Sequence, residues 1–387
     1  MPPYLAGREP EIEMFRELLK QDVILKNVVL TGLRGTGKTV LLETWKPIAI
    51  SQKWLWVGTD LSESTSVSEE RLVVRLLTDL SVVTSGIVLR EPIASAGFAP
   101  VSKDERLGYE KLLEIYRRNT GLPSDKLKAL LEFLWDRLKP HGLKGIIFAY
   151  DEAQTMADHA DKEQFPLSLM LDVFQSIQKK GIPFMLVLVG LPTLFPKLVD
   201  ARTFSERMFE VITLSKLDHE ASKQAIVQPT AKFKEEAQFN DQSVELIIKT
   251  SAGYPYFIQF ICREIYDLFL QKINIGQKPV PVPMDEITRK LDRNFFAGRW
   301  GRATDRQREL LAVIASLKDS DREFTVQEIV EQAKSRGDSF SNSHVSQMLV
   351  TLSNAGLIYK NRYGKYSFAV PLLGQFILRQ AEEVNPN

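Results

Sequence analysis

The stretch VVLTGLRGTGKTVLL, residues 28–42, constrains this chain more than any other. With Asn27 before it, its start has the β-branched richness and short length of a buried strand, and VLLETWKPIAI at 40–50 has helical length and spacing. Between them Gly32, Leu33, Arg34, Gly35, Thr36, Gly37, Lys38 and Thr39 satisfy G-x-x-x-x-G-K-[ST], and Val40 opens the helix. Glycines so placed let main-chain amides curl around phosphate oxygens, and the helix N-terminus behind them adds partial positive charge. In such a loop Lys38 bridges the β- and γ-phosphates and the Thr39 hydroxyl ligates magnesium. Gly32 through Val40 are therefore the candidate nucleotide-binding residues. The alternative is a glycine-rich turn that holds no ligand.

A phosphate-binding loop calls for a second buried strand that ends in a carboxylate able to hold the metal. GIIFAYDEAQ at 145–154 supplies it. Ile146 to Tyr150 are apolar or aromatic, so Asp151 and Glu152 emerge at the carboxyl edge of that strand, where open α/β sheets place their ligands. Asp151 is the candidate Mg2+ holder, and Glu152 the group that polarises the water attacking the γ-phosphate. Taken alone, an acidic pair after a strand is more often a helix N-cap. No guanine-reading N-K-x-D segment occurs, which favours ATP over GTP.

Three further strands are expected in KWLWVG (53–58), PFMLVLVG (183–190) and MFEVITL (208–214). Helical segments lie near 9–20, 67–83, 104–118, 124–139 and 165–180. That alternation implies a mostly parallel sheet covered on both faces. Residues 86–103 show no clear period and read as a surface excursion without assignable chemistry. From about residue 215 helices take over, until NIGQKPVPVPMD (274–285) reads as an extended linker.

The last eighty or so residues follow a separate logic. Helices are expected after Thr304, after Thr325 and after a cap at Ser341 or Ser343, the last two ending at Gly337 and Gly356, followed by a hairpin over 358–370 turning at Asn361 to Gly364. Three short helices and a hairpin form a winged helix-turn-helix, whose third helix can enter a DNA major groove. Lys plus Arg total 50 against 49 for Asp plus Glu, so a case for a polyanionic partner must be local. Ser339 to Gln380 contains no Asp or Glu, as a surface approaching phosphates requires. The expected outward side chains are Asn342, His344, Ser346 and Gln347 on the helix and Lys360, Arg362 and Lys365 on the wing. A winged helix also serves as a protein-packing module. The basic run Arg289, Lys290, Arg293, Arg299, Arg302, Arg306 and Arg308 reads equally as a solvated face or as polyanion contact.

The combination resembles the AAA+ superfamily, and within it the initiator-type and related prokaryotic ATPases that carry C-terminal winged helices. GLRGTGKT matches the Walker A motif and IIFAYDEAQ the Walker B motif, while LAGREPEIEMFRELL (5–19) resembles the Gly-Arg-Glu segment close to the adenine. The resemblance implies a nucleotide contact from Arg8, places LVLVGLPTL (186–194) on the sensor 1 strand and FSERMFEVITL (204–214) on the arginine-finger segment, and so names Arg207 as finger with Arg202 in reserve. Where many relatives carry a sensor 1 Asn, this chain has Gly190 and Thr193, so Thr193 is the substitute. SAGYPYFIQF (251–260) lacks the sensor 2 arginine, and its Gly253-Tyr254-Pro255 is similar to the GxP motif of STAND signalling ATPases.

The resulting expectation is an α/β chain with a P-loop NTPase (AAA+) parallel sheet flanked by helices over 1–215, a helical lid over 216–273, a linker over 274–303 and a C-terminal winged-helix domain over 304–387. Its function is an ATP- and Mg2+-dependent switch, slow without an oligomer or partner, that engages double-stranded DNA and assembles with further copies of itself. The alternative is a STAND-like ATPase whose winged helix contacts protein. A charged opening segment, a single cysteine (Cys262) and no apolar run near the roughly 20 residues a bilayer span needs suggest a cytoplasmic protein without membrane contact.

Overall fold

The computed structural model describes residues 4–93, 101–231, 239–275, 282–318, 322–362 and 364–384. Five strands, β1 (Asn27–Gly32), β2 (Trp54–Val57), β5 (Gly145–Tyr150), β6 (Phe184–Gly190) and β7 (Phe209–Leu214), form one sheet in the order β2-β5-β6-β1-β7. The β2–β5, β5–β6 and β6–β1 ladders are parallel. Every residue of β1, β5 and β6 is buried, because helices cover both faces of a parallel sheet. The expected strands are all present, and helices Glu9–Leu18, Glu69–Thr84, Pro123–Leu138 and Pro166–Lys179 lie where periodicity places them, whereas the helix expected near 104–118 begins only at Tyr109, because Val101–Arg106 is a strand.

Residues 86–103 depart from expectation. Strands β3 (Val88–Ile93) and β4 (Val101–Arg106) pair there as an antiparallel hairpin, with residues 94–100 outside the described set. The strand VSKDER carries little of the apolar alternation that marks a half-buried strand, so only its pairing reveals it.

The chain divides into two compact units, the first comprising residues 9–31 and 38–213, the second residues 1–8, 32–37 and 214–387. In the first unit the buried Asn27 pins three elements. Its Oδ1 accepts from Leu186 N (2.7 Å) and Gln178 Nε2 (2.8 Å), and its Nδ2 donates to Gln178 Oε1 (3.1 Å) and the Met208 carbonyl (3.4 Å). Such a fully satisfied polar group fixes register where apolar packing alone allows sliding.

In the second unit helices His219–Thr230, Asp241–Ser251 and Pro255–Asn274 occupy the span expected to be a lid. The linker reading of 274–303 fails beyond Pro283. Residues 276–281 lie outside the described set, but Met284–Leu291 is α-helical, Asp292–Phe296 forms a π turn and Ala297–Trp300 continues helical. Phe296 is fully buried there and stacks on Phe376, with ring centroids 5.1 Å apart. The prolines mask a segment whose apolar side chains fall on one helical face.

The three helices and the hairpin expected after residue 304 are present. Helices Asp305–Ala315 and Val326–Ser335 start at Thr304 and Thr325, each with a capping box, and Asn342–Asn354 starts at Ser341. Strands β8 (Ile358–Arg362) and β9 (Lys365–Phe368) pair, and Phe324 bridges to Tyr366. A final helix, Leu373–Val384, unforeseen in the sequence, packs on Asp305–Ala315.

The Asn27→Ala variant strands the Leu186 amide and the Gln178 side chain in a dry interior. It should lose about 2 kcal/mol of stability, read as a thermal midpoint roughly 4 to 8 °C lower. An unchanged midpoint removes Asn27 from the set of register pins.

Candidate functional site

The two motifs sit at the carboxyl ends of β1 and β5. In the first unit Thr39, in the first turn of helix Lys38–Ser51, donates its hydroxyl to Asp151 Oδ2 at 2.6 Å, although the two lie 112 residues apart. Asp151 is 5% exposed, and its Oδ1 accepts from the Glu152 amide at 2.7 Å. Glu152 adopts a left-handed conformation (φ 53°, ψ 28°) and is exposed. A non-glycine residue held there departs from the favoured backbone regions, and such departures gather at functional positions. The bland N-cap reading of the pair also has a trace, since the Glu152 carbonyl accepts from Thr155 N at 3.0 Å and opens a short 3-10 turn.

A third carboxylate stands beside the pair. Asp60 extends the β2–β5 ladder by a bridge to Asp151. Burial first, then the charges of Asp151, Glu152 and Glu43, push its carboxyl above the usual range. Sequence reasoning misses it because KWLWVG ends the apolar run two residues earlier. Among the described residues no group of three or more His, Cys, Asp or Glu side chains could hold a metal unaided. One hydroxyl and one carboxylate at hydrogen-bond distance nevertheless suit Mg2+, which takes few protein oxygens and completes its shell with water and substrate phosphates. Thr39 and Asp151 thus fit the ion.

The glycine loop belongs to the second unit. Gly35 has φ +81°, and a Cβ there would lie 2.9 Å from Tyr256 Cβ, so glycine is required twice over. The Gly35 carbonyl accepts from Tyr256 N at 3.1 Å, so an amide left unpaired in the first turn of helix Pro255–Asn274 finds its partner in the loop. The GxP triplet produces this contact. Gly253 turns left-handed (φ +78°) and its carbonyl accepts from Leu217 N at 2.8 Å, while Pro255 begins the helix. Arg8, 6% exposed, donates to the Thr36 carbonyl (3.1 Å) and the Ser215 carbonyl (2.7 Å), and the Thr36 hydroxyl donates to the Leu33 carbonyl (2.9 Å). The loop is thus braced from both sides of the sequence.

A description of the AAA ATPase domain matches residues 4–198, just over half of the chain. The chain belongs to that family. A domain of unknown function (DUF8462) matches residues 293–377. Among solved structures, the Walker-type ATPase PABY2304 of Pyrococcus abyssi is similar over 97% of this chain and 96% of its own, at 16% identity and a TM-score of 0.61. The ADP form of the Aeropyrum pernix ORC2 protein is similar over 98% of this chain and 96% of its own, at 13% identity and a TM-score of 0.56. These likenesses establish the AAA+ fold. No curated protein matches the chain. Among the described residues no helix is long and apolar enough to cross a membrane.

The remaining expected residues separate by geometry. Arg207 is exposed on the short helix Ser205–Met208. Arg202 is spent inside its own unit: Nε and Nη2 clasp Asp172 at 2.8 and 2.7 Å, and Nη1 donates to Ser168 Oγ at 2.8 Å. Thr193 lies at the start of helix Leu194–Ala201, but the side chain that reaches the tip of β6 is that of Gln154, whose Oε1 accepts from Leu191 N at 3.1 Å.

On the winged helix, Asn342, His344 and Gln347 are exposed, whereas Ser346 is half-buried and donates to the Asn342 carbonyl at 2.8 Å. Lys360 is exposed and Lys365 half-buried; the Arg362 side chain lies outside the described residues. The carboxylate-free stretch does not stay so in space. Glu323 accepts a hydrogen bond from the Asn361 amide, and Lys365 helps to hold the Glu328 carboxyl below its usual range, after the larger effect of the Thr325 hydrogen bond. The basic run is largely satisfied internally. Lys290 pairs with Glu264, Arg306 with Glu309 and the Phe340 ring, and Arg308 with Asp305, while Arg299 lies 4.5 Å from the Phe295 ring centroid. Burial, followed by the charges of Arg34 and Arg302, holds Arg299 below the usual arginine range, which places a second cation near the loop's Arg34.

Substitution sorts the two arginines. Arg202→Ala should cost about 1 kcal/mol of stability, a half-exposed bidentate pair being partly screened. Arg207→Ala should leave the melting curve unchanged within about 0.5 kcal/mol. A melt in which Arg207→Ala is the more damaging of the two contradicts this assignment.

Proposed function

We propose that this AAA ATPase domain protein is an ATP-hydrolysing switch whose turnover depends on assembly. The Thr39–Asp151 hydrogen bond carries the reading, because it brings the metal-binding ends of the two motifs together. In this reading the amides of Gly32 to Val40 and the Lys38 ammonium hold the phosphates, and Thr39 and Asp151 hold Mg2+. When bound, the ion screens the charge that builds on the phosphate oxygens. Glu152 accepts the proton of the attacking water as its oxygen bonds to the γ-phosphorus, and ADP departs. Arg8 fixes the loop from the adenine side. The ADP form of the similar ORC2 protein supports an adenine nucleotide as ligand.

The exposure of Arg207 supports a finger that acts on the nucleotide of a neighbouring copy. A finger supplied in trans contributes roughly 10³ to 10⁵ in rate. The isolated chain is therefore slow, and ATP acts as the link between free and assembled states. Thr193 is left with a contact to nucleotide through helix Leu194–Ala201 at most.

We infer further that the exposed face of helix Asn342–Asn354, with Asn342, His344 and Gln347 outward, Ser346 beside them and Lys360, Arg362 and Lys365 on the wing, meets duplex DNA. The absence of carboxylates from Ser339 to Gln380 supports it. A protein partner is the second reading, and a specific observation favours it: Glu323 and Glu328 put negative charge beside the wing.

Lys38→Ala should abolish measurable ATP binding by calorimetry, and Glu152→Gln should bind ATP normally while losing turnover; full turnover in the Gln variant discards Glu152 as base. For the DNA reading, log affinity should fall linearly with log salt. Neutralising Lys360, Arg362 and Lys365 together should flatten that slope by about 0.9 for each phosphate that is no longer neutralised. Affinity indifferent to salt, or no duplex binding at moderate salt, decides for the protein partner.

A further inference from the structure

We propose that Gln154 is a positioning residue that orients the Glu152 carboxylate and ties it to the tip of β6. The proposal rests on the reading of Glu152 as the base. The Gln154 amide is engaged at both ends: its Nε2 donates to Glu152 Oε2, and its Oε1 accepts from Leu191 N, the first main-chain amide beyond β6, at 3.1 Å. Turning the amide over would set its NH2 against an N–H donor and its carbonyl oxygen against a carboxylate, so only one orientation satisfies both neighbours.

The backbone beneath is held as firmly. The Gln154 carbonyl accepts from Lys197 Nζ at 2.6 Å, and the same ammonium reaches the Met156 carbonyl at 3.4 Å. Burial lowers the Lys197 pKa from its ordinary value, as expected of a cation drawn inward to hold main-chain carbonyls. Glu152 itself is fixed in its left-handed conformation, with the Thr155 hydroxyl donating to its carbonyl at 2.8 Å.

Gly190, the last residue of β6, completes the arrangement. A Cβ at that position would lie 2.5 Å from Gln154 Oε1 and 3.2 Å from Gln154 N. A side chain at the strand tip must displace the Gln154 amide. The family resemblance implies a polar group projecting from the sensor strand, with Thr193 as its substitute; here the polar group is delivered from the neighbouring strand's loop instead. A displacement of the β6 tip then moves Glu152 through one amide. That amide engages one carboxylate oxygen and leaves the other for the attacking water.

The test is single-turnover ATP hydrolysis at high protein concentration, with ATP affinity and thermal midpoint measured on the same preparations of the full chain. Gln154→Ala should lower the rate roughly tenfold to a hundredfold, the size of a misplaced catalytic group, with ATP affinity within about twofold of the wild type. Gly190→Ala should reproduce the loss by displacing the amide, and the double variant should be no slower than the slower single. Wild-type rate in Gln154→Ala, or losses that multiply in the double variant, overturn the proposal. If Glu152→Gln leaves turnover at the wild-type rate, the reading of Glu152 as base fails. A loss in Glu152→Gln without one in Gln154→Ala removes Gln154 alone.

Discussion

One hydrogen bond, from the Thr39 hydroxyl to the Asp151 carboxylate, defines what the first unit is built to do. It exists because β5, β6 and β1 are consecutive parallel neighbours, so that the chain segments following β5 and β1 leave the sheet at the same edge. Their register follows from Asn27, whose side chain locks β1 to β6 and to helix Pro166–Lys179. A buried polar group is therefore the origin of the edge on which the chemistry rests. It stabilises only because each of its hydrogen-bonding atoms is satisfied.

The sheet was legible in the sequence because strands buried on both faces must be short apolar runs, and β1, β5 and β6 are uninterrupted ones. The hairpin of β3 and β4 was not, since the β4 stretch VSKDER has no apolar alternation to read. The motif residues could be named because spacing along the chain specifies them. Asp60 and Gln154 could not, because their importance arises from neighbours across the sheet: Asp60 matters through β2 lying beside β5, and Gln154 through β5 lying beside β6. In a sequence, DEAQ offers a glutamine that any turn could accommodate. The wing shows the converse error, in which a stretch free of acid along the chain acquires Glu323 and Glu328 when the chain folds back at Phe324.

The second unit treats the glycine loop as a structural partner. Its carbonyls are used from outside, Gly35 by Tyr256 N and Thr36 by Arg8. The GxP triplet then needs no signalling role to explain its chemistry: Gly253 makes the turn, Pro255 starts the helix without an amide to satisfy, and Tyr256 reaches the loop.

The packing continues beyond the Tyr256 amide. Tyr256 is tilted against Phe295 with ring centroids 4.9 Å apart, and Arg299 covers Phe295, so the residue that contacts the loop is continuous with a cation displaced some forty residues along the sequence. Burial first, then the charges of Arg34 and Arg302, lower the pKa of that cation.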